Sequence, residues 1–107
     1  MFYEFRQYKM VDESKREAWV KFMEEVVIPF QVSKGMVVLG SFVDEEDKNL
    51  YYWIRRFKSE EERVRLYKAV YESDEWKNEI GPKIPDMMDR SAIVVKRIVP
   101  TDRSVIQ

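Results

Sequence analysis

Leu50-Tyr51-Tyr52-Trp53-Ile54-Arg55-Arg56-Phe57-Lys58-Ser59-Glu60-Glu61-Glu62 is the stretch on which the fold turns. Its first eight residues contain no glycine or proline and are mostly aromatic or β-branched, so Leu50 to Phe57 reads as a strand. Leu50, Tyr52 and Ile54 share one face, while Tyr51, Trp53, Arg55 and Phe57 share the other, which mixes aromatic rings with a charge. Ser59 stands three residues before Glu62. At that spacing a serine side chain takes a free N–H of a first helical turn and the glutamate reaches back. A helix is therefore predicted, with Leu66, Tyr67, Val70 and Tyr71 three and four residues apart on its buried stripe.

Toward the N-terminus, Asp44 to Asn49 is a polar loop suited to a hairpin, and Met36 to Val43 is a strand rich in Val and Leu on both faces. Ser14 and Glu17 repeat the capping-box spacing and predict the start of an earlier helix. Trp19, Phe22, Met23, Val26, Val27 and Phe30 form its stripe. Pro29 lacks an N–H and is expected to kink or end this helix, with Gly35 as the final stop. Phe2 to Lys9 alternates as a strand, with Tyr3 and Phe5 on one face and Glu4, Arg6 and Tyr8 on the other.

Toward the C-terminus, Ser73-Asp74 restarts a short turn that Trp76 and Ile80 anchor and Gly81-Pro82 ends. Ile84, Met87 and Met88 suggest another helical patch, the methionines filling gaps. Ser91 to Val99 is the last strand, closed by Pro100. The order strand, helix, strand, strand, helix, strand gives an α+β, ferredoxin-like βαββαβ fold. A four-stranded antiparallel sheet then carries both helices on one face. Residues 1–100 are expected to form a single domain, and 101–107 a tail that reaches to a partner or stays unordered.

Two helices cover only one side of such a sheet, and Phe2, Tyr8, Trp53 and Phe57 put large apolar groups on the sheet. An exposed apolar face marks an interaction surface. A homodimer with two sheets face to face and a cavity between them is the expected solution.

Composition narrows the chemistry. The 19 basic and 20 acidic residues leave a net charge of -1, without the excess that nucleic acid or an anionic membrane attracts. The opening residues carry charges at Glu4 and Arg6, unlike a signal peptide, and no apolar run reaches membrane-spanning length. A cytoplasmic location is expected. The chain has no Cys and no His, which excludes disulfides, thiolate nucleophiles, Ser-His-Asp triads, ordinary zinc sites and histidine-ligated haem. Asp44 to Asp47 lacks the spacing and glycine of a calcium loop, so no metal or cofactor is expected.

Beyond these patterns, Phe2-Tyr3-Glu4-Phe5-Arg6-Gln7-Tyr8, Arg55-Arg56-Phe57-Lys58-Ser59, Arg63 and Ser73-Asp74-Glu75-Trp76 together resemble the bacterial NIPSNAP family over nearly the whole chain. The resemblance implies the dimeric α+β barrel architecture, which small antibiotic-biosynthesis-type monooxygenases and stress-responsive barrels share. For most members it implies no settled biochemical activity. Where members often carry Trp-x-Tyr before the serine of the second helix, this chain has Arg55-Arg56-Phe57, with Trp53 two residues earlier.

Arg6, Tyr8, Trp53 and Arg55 are the candidate ligand-binding residues, expected in a pocket between the sheet and the dimer mate. Guanidinium forks bind carboxylates and flat rings stack on apolar ligands. Arg6 and Arg55 also stand where they can pair with Glu4 across neighbouring strands, which is the purely structural alternative. The functional expectation is a homodimer that binds a small aromatic or anionic molecule, or a protein partner. The enzymatic alternative is a cofactor-independent monooxygenase or isomerase acting on a small aromatic substrate. Tyr3, Tyr8, Tyr51 or Tyr52 would then donate protons and Glu4 act as base. Without His or Cys, the binding reading is favoured.

Overall fold

The computed structural model describes residues 1–107. Its four strands are β1 (Phe2–Met10), β2 (Val37–Val43), β3 (Leu50–Phe57) and β4 (Met88–Ile98), ordered β2-β3-β1-β4 in one antiparallel sheet. This is the ferredoxin-like arrangement expected from the element order. The register sets Glu4 opposite Arg55, Arg6 opposite Trp53 and Tyr8 opposite Tyr51. Directly opposed residues share a face, so all six point the same way.

That face is the one the helices cover. Between β1 and β2 the chain forms α1 (Arg16–Phe22), a wide π turn (Met23–Val27) and α2 (Ile28–Ser33). Pro29 cannot donate to the carbonyl four residues back. The ladder widens just ahead of it, with the Ile28 N–H reaching Met23 O. The helix thus continues through Pro29 and stops at Gly35, whose φ of 107° lies in the region that only glycine adopts without strain.

The start of this segment differs from the predicted Ser14–Glu17 capping box. Asp12 is the cap: its carboxylate accepts the Ser14 N–H at 2.9 Å and also the Ser14 hydroxyl. A charged acceptor two residues upstream outcompetes a neutral hydroxyl. Ser14 is consequently a donor inside a 3-10 turn, Glu13–Lys15, and α1 begins at Arg16.

After β3, α3 (Glu60–Tyr71) starts as expected, with Ser59 Oγ accepting the Glu62 N–H at 3.1 Å. The return bond from Glu62 goes to the Lys58 N–H, at 3.0 Å. A second π turn (Trp76–Ile80) then passes straight into a 3-10 helix (Gly81–Asp86). Gly81-Pro82 does not end the segment, because proline in a first turn lacks only an N–H that had no partner there. Met88 belongs to β4 rather than to a helical patch. β1 runs on to Met10, where its register with Met88 extends β4 to an earlier start than Ser91.

The core lies between sheet and helices. One cluster centres on Trp19, Met23, Tyr51 and Trp53. A second joins Phe2 and Phe57 to Met36, Leu66 and Val70. Phe2, Tyr8, Trp53 and Phe57 therefore contribute nothing to the uncovered face, contrary to the expectation from alternation alone. That face carries Phe5, Tyr52 and Ile54, with Phe42, Val94 and Ile98 exposed. Pro100, Thr101, Ser104 and Ile106 border a hollow on it beside Tyr3 and Ile54, so the tail lies against its own sheet. No helix is long and apolar enough to cross a membrane.

Candidate functional site

The paired positions on β1 and β3 form the floor of a cavity of about 250 Å³ between sheet and helices. Arg6, Tyr8 and Trp53 come from the floor. Trp19, Met23, Val27 and Gln31 reach down from the first helical segment. Tyr67 and Tyr71 come from α3, and Trp76, Ile84, Met88, Arg90 and Ile93 close the remaining side. Most of the wall is apolar, as small-molecule sites require. Trp19 and Trp53 are each 1% exposed, and their indole N–H groups have no acceptor.

Arg55 stands on the same face of the sheet, beside the cavity, and organises its floor. Its guanidinium is fully buried and donates from Nη1 to Gln31 Oε1 at 2.8 Å and to the Tyr71 hydroxyl at 2.7 Å. From Nη2 it donates to Glu4 Oε1 at 2.7 Å and to the Tyr67 hydroxyl at 2.9 Å. Trp53 lies under the guanidinium, with Cζ 4.6 Å from the ring centroid, a cation–π contact that only a flat cation on a dry aromatic floor makes well. The Tyr67 hydroxyl donates to the Glu4 carboxylate, 2.7 and 2.6 Å from its two oxygens. Arg6 donates from Nε to Tyr8 at 2.9 Å and from Nη1 to Tyr67 at 3.2 Å, and stands 3.5 Å from Glu4.

The charges follow from this wiring. Burial alone would raise the Glu4 pKa, but Arg55, the Tyr67 hydroxyl and Arg6 outweigh it and hold the carboxyl below its ordinary value. Glu4 is thus an anion locked between cations and is poorly suited to serve as a general base. Burial pushes Tyr8 up, and it pushes Tyr67 up to about 12 against the opposing pull of Arg55. Both phenols are neutral near pH 7.

Arg6, Tyr8, Trp53 and Arg55 are brought together, but on the helix side of the sheet instead of against a dimer mate. The cause is the register: residues opposite Tyr51 and Trp53 follow them into the core. Arg6, Tyr8 and Trp53 line the cavity, whereas Arg55 stands beside it, bonded to the lining residues Gln31, Tyr67 and Tyr71. Arg55 pairs with Glu4 across the strands as anticipated, whereas Arg6 approaches Glu4 along their shared strand β1, at 3.5 Å. Tyr51 is also in the core, its hydroxyl 2.6 Å from that of Ser41. Tyr52 donates to Asp44 at 2.5 Å on the other face. Asp44 in turn accepts the N–H groups of Glu46 and Asp47, so it closes the hairpin turn.

Sequence reasoning missed Gln31, Tyr67, Tyr71 and Arg90. Gln31 had a usable signal: it falls four residues after Val27 on the buried stripe, and a polar group there is 0% exposed. Tyr67 and Tyr71 were placed on the α3 stripe but read only as packing groups.

Comparison with known proteins gives a consistent picture. A family model described as NIPSNAP matches residues 3–100. No curated protein matches the chain. A solved NIPSNAP family protein of unknown function from Agrobacterium tumefaciens is 26% identical, with a TM-score of 0.88, covering 100% of this chain and 94% of its own. A second NIPSNAP family protein from that organism is 19% identical with a TM-score of 0.86, covering 99% of this chain and 98% of its own. A dimeric ferredoxin-like protein from an uncultured marine organism shares the fold at 12% identity and a TM-score of 0.67, covering 98% of this chain and 99% of its own.

Proposed function

The chain belongs to the NIPSNAP family, and on that premise we propose that it is a homodimer that binds a small aromatic or anionic molecule between its sheet and its helices. The cavity of about 250 Å³, walled by Trp19 and Trp76 above a floor of Arg6, Tyr8 and Trp53, carries this reading. An apolar enclosure with a few fixed polar groups is the usual form of a small-molecule site.

The homodimer rests on the opposite face. Phe42, Val94 and Ile98 are 52%, 41% and 44% exposed there, and pairing with a second copy would remove them from water. A neighbour in fold is described as dimeric. The two faces of the sheet then have separate tasks, one for ligand and one for partner.

Native mass spectrometry of the purified protein tests both. The expected spectrum shows a two-chain mass that carries a retained small molecule or takes one up when flat aromatic compounds are added. A strictly monomeric chain at micromolar concentration sinks the homodimer. Absence of uptake for every flat compound, with no quenching of tryptophan fluorescence, sinks the cavity reading.

A further inference from the structure

The polar groups of the cavity are not balanced. No Asp or Glu lines it. The one lining amide oxygen, that of Gln31, already accepts from Arg55. The Tyr71 oxygen accepts from Arg55 at 2.7 Å and from Gln31 at 3.3 Å, so its two lone pairs are engaged and its proton has no protein acceptor. Tyr8 accepts from Arg6, and its proton is equally unclaimed. The indole N–H groups of Trp19 and Trp53, both lining residues, are buried and unpartnered. By contrast Tyr67 is satisfied, accepting from two arginines and donating to Glu4. The lining therefore offers donors and almost no free acceptors.

The charge balance leans the same way. Glu4 is matched by Arg55 at 2.7 Å, which leaves Arg6 with only a weaker approach to that carboxylate, at 3.5 Å. Arg90, at the cavity edge, bonds only the Gly81 carbonyl oxygen, at 2.9 Å, and has no acidic partner. Buried donors without acceptors, beside Arg6, whose side chain is 16% exposed and lacks a full counter-charge, are costly unless something supplies both oxygens and a negative charge.

We infer that the cavity takes a flat, apolar carboxylate, with its oxygens among Tyr8, Tyr71 and Arg6, the Arg90 charge at the cavity edge, and its ring against Trp19 and Trp53. This rests on the cavity-binding reading and adds the ligand's polarity to it. A carboxylate accepts at two oxygens and fits several donors at once. A cation or a pure hydrogen-bond donor would meet only like groups.

Three probes of similar ring size test this by calorimetry and tryptophan quenching: naphthoate, naphthalene and naphthylmethylammonium. Naphthoate is expected to bind about tenfold or more tightly than naphthalene, as a charge-assisted hydrogen bond implies, and the ammonium most weakly. Tyr71→Phe and Arg90→Gln should each lower naphthoate affinity and leave naphthalene affinity unchanged. Arg90 is exposed, so its variant keeps the test open if Tyr71→Phe fails to fold. Equal binding of naphthoate and naphthalene, or a preference for the ammonium, overturns the carboxylate inference and leaves the cavity reading intact. Failure of all three probes to bind overturns both.

Discussion

Glu4 and Arg55 face each other across antiparallel β1 and β3, and Arg55 Nη2 lies 2.7 Å from Glu4 Oε1 in a setting where neither residue exceeds 3% exposure. Each accounts for the other's burial. A buried charge is tolerated when its partner and most of its remaining hydrogen bonds are supplied, and here Gln31, Tyr67 and Tyr71 accept from the two terminal nitrogens of Arg55, leaving only its Nε–H without an acceptor. The pair also ties both strands to α2 and α3, and thereby fixes the cavity floor.

Arg55→Met should therefore destabilise the protein by about 3–5 kcal/mol, because it strands the Glu4 carboxylate in the core. Glu4→Gln combined with Arg55→Met should recover part of that loss. Urea denaturation of the parent and both variants measures this, and an Arg55→Met variant as stable as the parent would show that the pair is not structural.

The depressed Glu4 pKa has a pH signature. Its ordinary value is 4.5 and its folded value lies lower, since Arg55, Tyr67 and Arg6 together overcome burial. The stabilisation is then fully present above pH 4.5 and disappears as pH falls through the folded value. The stability difference between parent and Glu4→Gln should shrink below that point. A difference that stays constant from neutral pH into the acid range would contradict the assignment.

Helix capping separates two serines that look alike in sequence. Ser59→Ala removes the acceptor of the Glu62 N–H and should cost about 1 kcal/mol. Ser14→Ala should cost less than Asp12→Ala, because Asp12 is the residue that accepts at the first turn. Thermal melts of the three variants give the order, and a Ser14 variant as damaged as the Ser59 variant would restore the simple capping-box reading.

Phe42→Glu places a charge on the uncovered face without touching the cavity. The expected result is a one-chain mass in native mass spectrometry, an unchanged circular dichroism spectrum and retained binding of cavity ligands. A two-chain species of undiminished abundance would move the dimer contact elsewhere.

Much of this molecule was legible in the residue order. Alternation in Phe2 to Lys9 and Leu50 to Phe57 gave the strands, the spacing of Ser59 and Glu62 gave the second helix, and Gly35 gave the end of the first. Arg6, Tyr8, Trp53 and Arg55 were legible as a group because alternation puts them on one side of paired strands. Their direction was not. Two faces of comparable apolarity give a strand no local preference for which one receives the helices. The Asp12 cap was likewise invisible to a spacing rule written for serine.

The sequence by itself determined the strand and helix order, the absence of histidine and cysteine chemistry, and the grouping of charge with aromatic rings on β1 and β3, since each is a property of neighbours along the chain. Only the tertiary structure decided that this group faces inward, that Arg55 lies beside the cavity and not in its lining, and that Gln31, Tyr67 and Tyr71 join it. Those outcomes depend on packing and hydrogen-bond satisfaction between segments far apart in sequence. A buried guanidinium must find acceptors wherever the fold brings them, and here they come from β1, α2 and α3 together.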